Sequence, residues 1–218
     1  MVSRPRVPFR VYLITDRHAV KSGDLIATCE AVLAAAPAGT VALQVREKDL
    51  SGRELYELAF KLRAICKRYG APMLINDRID VAMAVEADGV HLPSNSIGPA
   101  HARKLLGPER LIGVSTHSQE EITAAASEGA DFAVFGPVFD PISKGAYRPA
   151  LGLDALEAAC GTASIPVFAL GGITPARARE LLDAGAAGVA AIGAILGADS
   201  PADAMRAMLA ALSSPNAS

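Results

Sequence analysis

The stretch Val41-Ala42-Leu43-Gln44-Val45-Arg46-Glu47-Lys48-Asp49 changes from apolar to charged within a few residues. Its first half is rich in valine and leucine, as a strand covered on both faces requires. Strand side chains alternate between two faces, so Gln44, Arg46 and Lys48 are predicted to point to the same side. Ser51, followed three residues later by a glutamate, then forms the capping-box pattern that starts a helix. The stretch is therefore the first half of a strand–helix unit.

This alternation of a short apolar run with a helical pattern occurs eight times. The predicted strands are Val11–Asp16, Val41–Arg46, Pro72–Asp77, Gly89–Leu92, Leu111–Thr116, Phe132–Phe135, Pro166–Leu170 and Gly188–Ile192. The predicted helices are Leu25–Ala35, Gly52–Tyr69, Val81–Ala87, Pro99–Leu106, Gln119–Glu128, Asp154–Cys160, Pro175–Ala184 and Pro201–Leu212. Eight strand–helix units predict an α/β fold, a single (β/α)₈ TIM barrel. We expect one domain over 1–218, with its active core at about 9–212.

A doubly wound sheet with extra strands is the alternative fold. It would usually carry a glycine-rich turn after the first strand. Here that turn reads Thr15-Asp16-Arg17-His18, which favours the barrel.

Composition excludes several classes of function. The chain has 218 residues, of which 51% are hydrophobic, and a formal net charge of −2. No broad basic field predicts binding to nucleic acid or to an anionic membrane, and no apolar run approaches the roughly 20 residues of a membrane span. The cysteines Cys29, Cys66 and Cys160 lie far apart and lack metal-ligand spacing. They are typical of free thiols in a reducing cytoplasm, where we expect the protein to reside.

In such barrels the chemistry lies at the carboxyl ends of the strands. The candidates at these ends are Asp16, Arg46, Lys48, Asn76, Asp77, His91, Ser115, His117, Lys144, Gly171, Gly172 and Gly193. The cationic row on the second strand is costly unless an anion meets it, which predicts a phosphate or carboxylate site. The alternative is that this row pairs with Glu47, Asp49 or other acids of the protein.

Two late strands carry the strongest local signal. Gly171 and Gly172 follow the seventh strand, and Gly193 follows the eighth. Glycines let backbone N–H groups approach a ligand closely, and phosphate sites after these two strands recur in barrels. The alternative is that the glycines only make tight turns.

The segment 139–152 and His117 each allow two interpretations. The long segment 139–152 predicts a lid or binding loop, in which Ser143 and Lys144 would close over a phosphate, although Lys144 can equally be a solvated lysine. His117 ends the fifth strand, and histidine suits proton transfer at neutral pH. From position alone, His117 can equally cap the next helix or bond a backbone carbonyl.

Short motifs in order across nearly the whole chain resemble one family. They are Tyr12-Leu13-Ile14-Thr15-Asp16, Gln44-Val45-Arg46-Glu47-Lys48, Leu74-Ile75-Asn76-Asp77-Arg78, Ala87-Asp88-Gly89-Val90-His91-Leu92, Ile112-Gly113-Val114-Ser115-Thr116-His117, Phe135-Gly136-Pro137-Val138-Phe139 and Gly171-Gly172-Ile173. Together they resemble the thiamin phosphate synthase superfamily, which contains the synthase and its relative, thiazole tautomerase. The resemblance implies a barrel that binds thiazole phosphate at the late-strand glycines.

The two members of this superfamily differ at the metal site. The synthase pattern holds magnesium with the aspartate of an Asn-Asp pair, matched by Asp77, and with a second acid, whose place Ser96 takes here. Magnesium prefers carboxylates and phosphate oxygens, so a serine is a poor replacement. The synthase loop Pro-Thr-x-Thr-Lys is also altered, since 140–144 lacks the first threonine and has Ser143 before Lys144.

The run Gly89–Ser96 is instead similar to the tautomerase version. This similarity implies a thiazole tautomerase, an isomerase of thiamine biosynthesis that aromatises carboxythiazole phosphate by moving protons without a metal. His117 matches the strand-five histidine that the family uses for this step. The alternatives are a thiamin phosphate synthase, which joins hydroxymethylpyrimidine pyrophosphate to thiazole phosphate, and a non-catalytic regulator that binds thiazole or thiamin phosphate. An intact His117 argues against the regulator.

The resemblance implies a complete set of site residues. His117 would be the general acid/base. The substrate-binding residues would be Gln44, Arg46, Lys48, Asn76, Ser115, Ser143, Lys144, Gly171, Gly172, Ile192 and Gly193. The tautomerase would need no cofactor, whereas the synthase alternative would take Mg²⁺ at Asp77. The expected partner is a small phosphorylated thiazole, with no nucleic acid and no membrane, and a homo-oligomer is left open.

Overall fold

A computed structural model describes residues 7–140 and 149–213. Within them, eight parallel strands close into a barrel in chain order, β1 to β8, so the predicted (β/α)₈ fold is confirmed. The strands are β1 (Val11–Ile14), β2 (Val41–Val45), β3 (Met73–Asn76), β4 (Gly89–Leu92), β5 (Leu111–Thr116), β6 (Phe132–Phe135), β7 (Val167–Leu170) and β8 (Gly188–Ala191). The ring closes where Val11 of β1 pairs with Val189 of β8.

Helices cover the outside of the barrel. They are α1 (Leu25–Ala34), α2 (Gly52–Tyr69), α3 (Ile79–Ala84), α4 (Pro99–Leu106), α5 (Gln119–Ser127), α6 (Leu153–Thr162), α7 (Ala178–Asp183), α8 (Gly193–Leu196) and α9 (Pro201–Ser213), with 3₁₀ turns at Arg17–Ala19 and Pro175–Arg177. None of these helices is both long and apolar enough to cross a membrane.

Some element bounds differ from the sequence prediction. The helix predicted at Pro175–Ala184 is a 3₁₀ turn followed by α7, and the short α8 was not predicted. The helix predicted to reach Ala87 ends at Ala84, because Glu86 adopts a left-handed backbone conformation with φ 52°. The capping box at Ser51 is present as predicted.

The barrel interior is apolar at the amino end of the strands. Phe9, Tyr12, Phe132 and Phe168 are fully buried there, with ring centroids 5.0 Å apart for Phe9 and Phe168 and 5.2 Å apart for Tyr12 and Phe132. A Cβ on Gly113 would lie 2.3 Å from the Phe132 ring, so β5 needs glycine at this position. These rings fill the lower barrel and leave only the carboxyl end for polar side chains.

One buried acid and one half-buried acid each join the start of a strand to the helix before it. Asp131, just before β6, accepts hydrogen bonds from Ile112 N at 2.7 Å and Arg103 Nη2 at 2.6 Å. Asp88, just before β4, accepts in the same way from Met73 N at 2.7 Å and from Arg63 Nη1 at 2.7 Å. The repeat of this arrangement ties α2 and α4 to the amino rim of the barrel.

Asp131→Ala tests this arrangement. The substitution leaves the partly buried Arg103 guanidinium and the Ile112 N–H without their carboxylate, so we expect the free energy of unfolding to fall by about 3 kcal/mol. Urea denaturation measures the change. Asp183→Ala, which removes an exposed partner of Arg179, is the control and should leave the urea midpoint unchanged within error. Equal midpoints for the two variants would contradict the role given to Asp131.

Candidate functional site

The polar row on β2 enters the barrel at its carboxyl end. Gln44 is buried, and its Nε2 donates to Asn76 Oδ1 at 3.1 Å. The Arg46 N–H bonds to the Thr15 side-chain oxygen at 2.8 Å, and β2 ends at Val45. Lys48 is therefore exposed in the turn that follows, so the strand alternation places only Gln44 and Arg46 on the barrel side.

The nearby acids pair with a different cation. Arg17 bonds Asp49 through two hydrogen bonds, at 2.5 and 2.6 Å, and contacts Glu47 at 3.3 Å. The hydrogen bond from Arg17, followed by that from His18, lowers the pKa of the Asp49 carboxyl. Across residues 7–140 and 149–213, no carboxylate forms an ion pair with Arg46 or Lys48. Their positive charges thus remain available to an anionic ligand.

A neutral histidine lies beside this row. His91 on β4 is fully buried, its Nε2 lies 2.9 Å from Ser115 Oγ on β5, and its ring centroid lies 5.6 Å from that of Tyr12. Burial, together with the positive charge of Arg46, lowers the pKa of His91 from 6.5 to about 3. His91 therefore stays uncharged at neutral pH. It holds the Ser115 hydroxyl inside the mouth of the barrel, which is the open end formed by the carboxyl ends of the strands. The sequence places His91 among the strand-end candidates but assigns it no specific role, because its partner Ser115 lies far away in the chain.

His117 lies between the end of β5 and the start of α5. Its backbone N–H donates to Glu121 Oε2 at 2.6 Å, and its ring Nδ1 lies 3.3 Å from the same oxygen. These contacts join the end of β5 to the first turn of α5, whose N-cap is Ser118.

The late-strand glycines come together in one cavity of about 440 Å³. Gly171, Gly172, Ile192 and Gly193 all line it. Gly171 and Gly172 have φ of 101° and 61°, and a Cβ on Gly172 would lie 2.6 Å from the Asp140 carbonyl oxygen. These two glycines thus make a tight turn and also bring backbone to a cavity, so the two interpretations of the sequence are compatible.

The acid of the Asn-Asp pair lies at the end of β3. Asp77 has a left-handed φ of 62°, its N–H donates to His91 O at 2.8 Å, and its Oδ1 accepts from Ser96 Oγ at 2.5 Å. Within the described ranges, no cluster of three or more His, Cys, Asp or Glu side chains could hold a metal ion. Ser143 and Lys144 lie outside the described residues, so their predicted contacts stay predictions.

Comparison with known proteins identifies the family of this barrel. A family model described as thiamine monophosphate synthase matches residues 11–195. The chain belongs to that family. Its fold is similar to that of a thiamine phosphate pyrophosphorylase from Pyrococcus furiosus, with a TM-score of 0.82 and 32% identity over 94% of this chain and 96% of that one.

Curated relatives agree over nearly the full length. A putative thiamine-phosphate synthase of Geobacter sulfurreducens is 50% identical over 95% of this chain and 96% of the relative. A thiamine-phosphate synthase of Chloroflexus aurantiacus is 39% identical over 95% of this chain and 94% of its own.

The expectation of a thiazole tautomerase, and with it the isomerase class, is therefore wrong. Relatives 38–50% identical to this chain bear the synthase name. Ser96 does not decide the reaction, because its hydroxyl supports Asp77 and magnesium is commonly bound by one carboxylate together with substrate phosphates.

His91 makes stability depend on pH. Its pKa falls from 6.5 to about 3 on folding, so unfolding takes up a proton between these values. The free energy of unfolding should therefore decrease as the pH drops below about 6.5, by up to about 1.4 kcal/mol per pH unit. In His91→Gln, the loss between about pH 7.5 and pH 5 should be smaller by about 2 kcal/mol.

Urea denaturation at both pH values measures this difference, with His101→Gln on the exposed face of α4 as the control. The same pH-dependent loss in His91→Gln as in the unmodified chain would show that His91 is not held neutral by the fold.

Proposed function

We propose that this protein is a thiamine-phosphate synthase, a transferase that joins hydroxymethylpyrimidine pyrophosphate to thiazole phosphate and releases pyrophosphate. The proposal rests on the chemical difference between the two halves of the barrel mouth. Polar side chains, with two cations that pair with no carboxylate among the described residues, occupy the ends of β2 to β5, and a glycine-lined cavity occupies the ends of β7 and β8. The names of the close relatives point to the same reaction.

The first half suits the edge of an aminopyrimidine. Gln44 Oε1 is a buried acceptor with no hydrogen-bond partner in the part of the chain described, and it can accept from an exocyclic amino group. The Asn76 amide and the Ser115 hydroxyl can supply donors to ring nitrogens. Because buried polar groups left unpaired are costly, these three residues would favour a substrate with matching donors and acceptors.

The cations beside this half suit the pyrophosphate. Arg46 and Lys48 have no carboxylate partner among the described residues, so an anionic ligand need not displace one. As the bond from carbon to the pyrophosphate oxygen breaks and the bond from carbon to the thiazole nitrogen forms, negative charge grows on the departing oxygen. Fixed cations stabilise such developing charge. We place Ser143 and Lys144 here as well, on the sequence prediction alone.

The second half suits thiazole phosphate. The cavity beside Gly171, Gly172, Ile192 and Gly193 is of a size for a small phosphorylated ring, and glycine backbone leaves room for its phosphate. Holding the two substrates on neighbouring strand ends brings the nitrogen and the carbon together, which supplies much of the rate enhancement in a two-substrate reaction.

The residues present fit one shared magnesium ion. Ser96 occupies one oxygen of Asp77, and the other oxygen can bind a cation together with substrate pyrophosphate oxygens. When bound, the ion would neutralise pyrophosphate charge. Because the described residues contain no group of three or more His, Cys, Asp or Glu side chains that could hold a metal, we expect the ion to bind weakly until the pyrophosphate is present.

Turnover tests the proposed function. The protein incubated with both substrates and Mg²⁺ should form thiamin phosphate and pyrophosphate, detected by chromatography. Arg46→Met removes a cation from the departing pyrophosphate and should lower kcat/KM by about 10²–10³-fold, whereas Lys61→Met on the exposed face of α2 should not. Aromatisation of carboxythiazole phosphate without coupling, or no reaction with either substrate set, would contradict the proposal.

Ser96→Asp tests the shared metal site. A second carboxylate beside Asp77 should raise the affinity for Mg²⁺ without substrate by on the order of tenfold, measured by isothermal titration calorimetry. The unmodified chain should show comparable affinity only when pyrophosphate is added, and Ser96→Ala controls for loss of the hydroxyl. Tight Mg²⁺ binding by the unmodified chain without pyrophosphate would refute the shared site.

A further inference from the structure

Arg177 contacts the glycine turn, but no motif or proposed role accounts for it. It ends the 3₁₀ turn Pro175–Arg177 and is half-buried. Its Nη1 donates to Gly172 O at 2.9 Å, and its guanidinium carbon lies 4.1 Å from the centroid of the Phe139 ring. A hydrogen bond and a cation–π contact therefore fix one cation against the turn.

The hydrogen bond orients the peptide that follows Gly172. In a trans peptide the carbonyl and the N–H point in opposite directions, so an Arg177 that holds Gly172 O also sets the direction of the Ile173 N–H. No hydrogen bond among the described residues uses the N–H of Gly172 or of Ile173. Both residues line the cavity, so these two donors are available to a ligand there.

The contact with Phe139 joins two segments of the mouth. Phe139 follows β6, and its N–H donates to Gly171 O at 3.2 Å. A Cβ on Gly172 would lie 2.7 Å from Phe139 Cβ and 3.1 Å from Arg177 Nη1, so the turn is enclosed by these two side chains. Loss of the guanidinium would free the Gly172 carbonyl to rotate toward the cavity, where its negative dipole would oppose an anion.

We propose that Arg177 is a positioning residue for the phosphate of thiazole phosphate. It holds the Gly172–Ile173 peptide with the Ile173 N–H available to that phosphate and adds a positive charge behind the turn. The identity of the ligand rests on the proposed function, whereas a role toward a phosphate group rests on the geometry of the turn alone.

Arg177→Met should raise the KM for thiazole phosphate about 10–100-fold, because the positive charge behind the turn and the alignment of the Ile173 N–H are lost together. The KM for pyrimidine pyrophosphate should change less than about threefold, because that substrate occupies the other half of the mouth. Arg177→Lys retains the charge and should restore part of the loss. Arg179→Met is the matched control, two residues further on, where the guanidinium pairs with Asp183 on the exposed face of α7, and it should leave both KM values unchanged.

Calorimetric titration with inorganic phosphate separates this inference from the proposed reaction. Phosphate binding that weakens about tenfold or more in Arg177→Met, but not in Arg179→Met, supports the positioning role even if the unmodified chain fails to couple the two substrates. Unchanged phosphate affinity, or equal weakening of both substrates with a lowered Tm, overturns it. If Arg177→Met does not fold, Phe139→Leu removes only the ring contact and should weaken phosphate binding about threefold, and no change would again overturn the inference.

Discussion

The closure of eight parallel strands into one ring is the constraint on which the rest of this structure depends. Parallel strands in a closed barrel bring all of their carboxyl ends to the same rim, and the rings of Phe9, Phe132 and Phe168 fill the opposite end. Polar side chains that end different strands therefore have only one place to meet. This is why residues from β2, β3, β4 and β5 form one group although they are far apart in the chain.

Charge placement gives this rim its chemical character. Arg17 occupies the acids Glu47 and Asp49, which leaves Arg46 without a carboxylate partner among the described residues. Burial keeps His91 neutral and the charge of Arg46 adds to this effect, so Arg46 lies beside uncharged donors and acceptors. Such a surface attracts an anionic tail and accommodates an uncharged ring, as the substrates of a synthase require.

The position of Ser96 shows why a missing ligand is weak evidence about a reaction. Sequence alone marks it as the loss of a second metal-binding acid. In the fold its hydroxyl bonds to the remaining acid, Asp77, and a substrate that carries its own phosphate oxygens can complete a magnesium site. Relatives that match along nearly the whole chain therefore weigh more for a synthase than Ser96 weighs against one.

The sequence by itself determined the eight strand–helix units, the glycines of the late turns and the polar residues at strand ends, because hydrophobic period and turn chemistry are local properties. Only the tertiary structure decided which groups meet. Arg17 reaches Glu47 thirty residues later, His91 bonds Ser115 and Arg177 lies on Phe139. Strands β1 and β2 also end before the predicted Asp16 and Arg46, because the Arg46 N–H donates to the Thr15 side-chain oxygen and not to a strand carbonyl. Contacts of this kind form because the closed barrel brings together residues that are far apart in the chain. A local sequence pattern carries no information about which distant residues will meet.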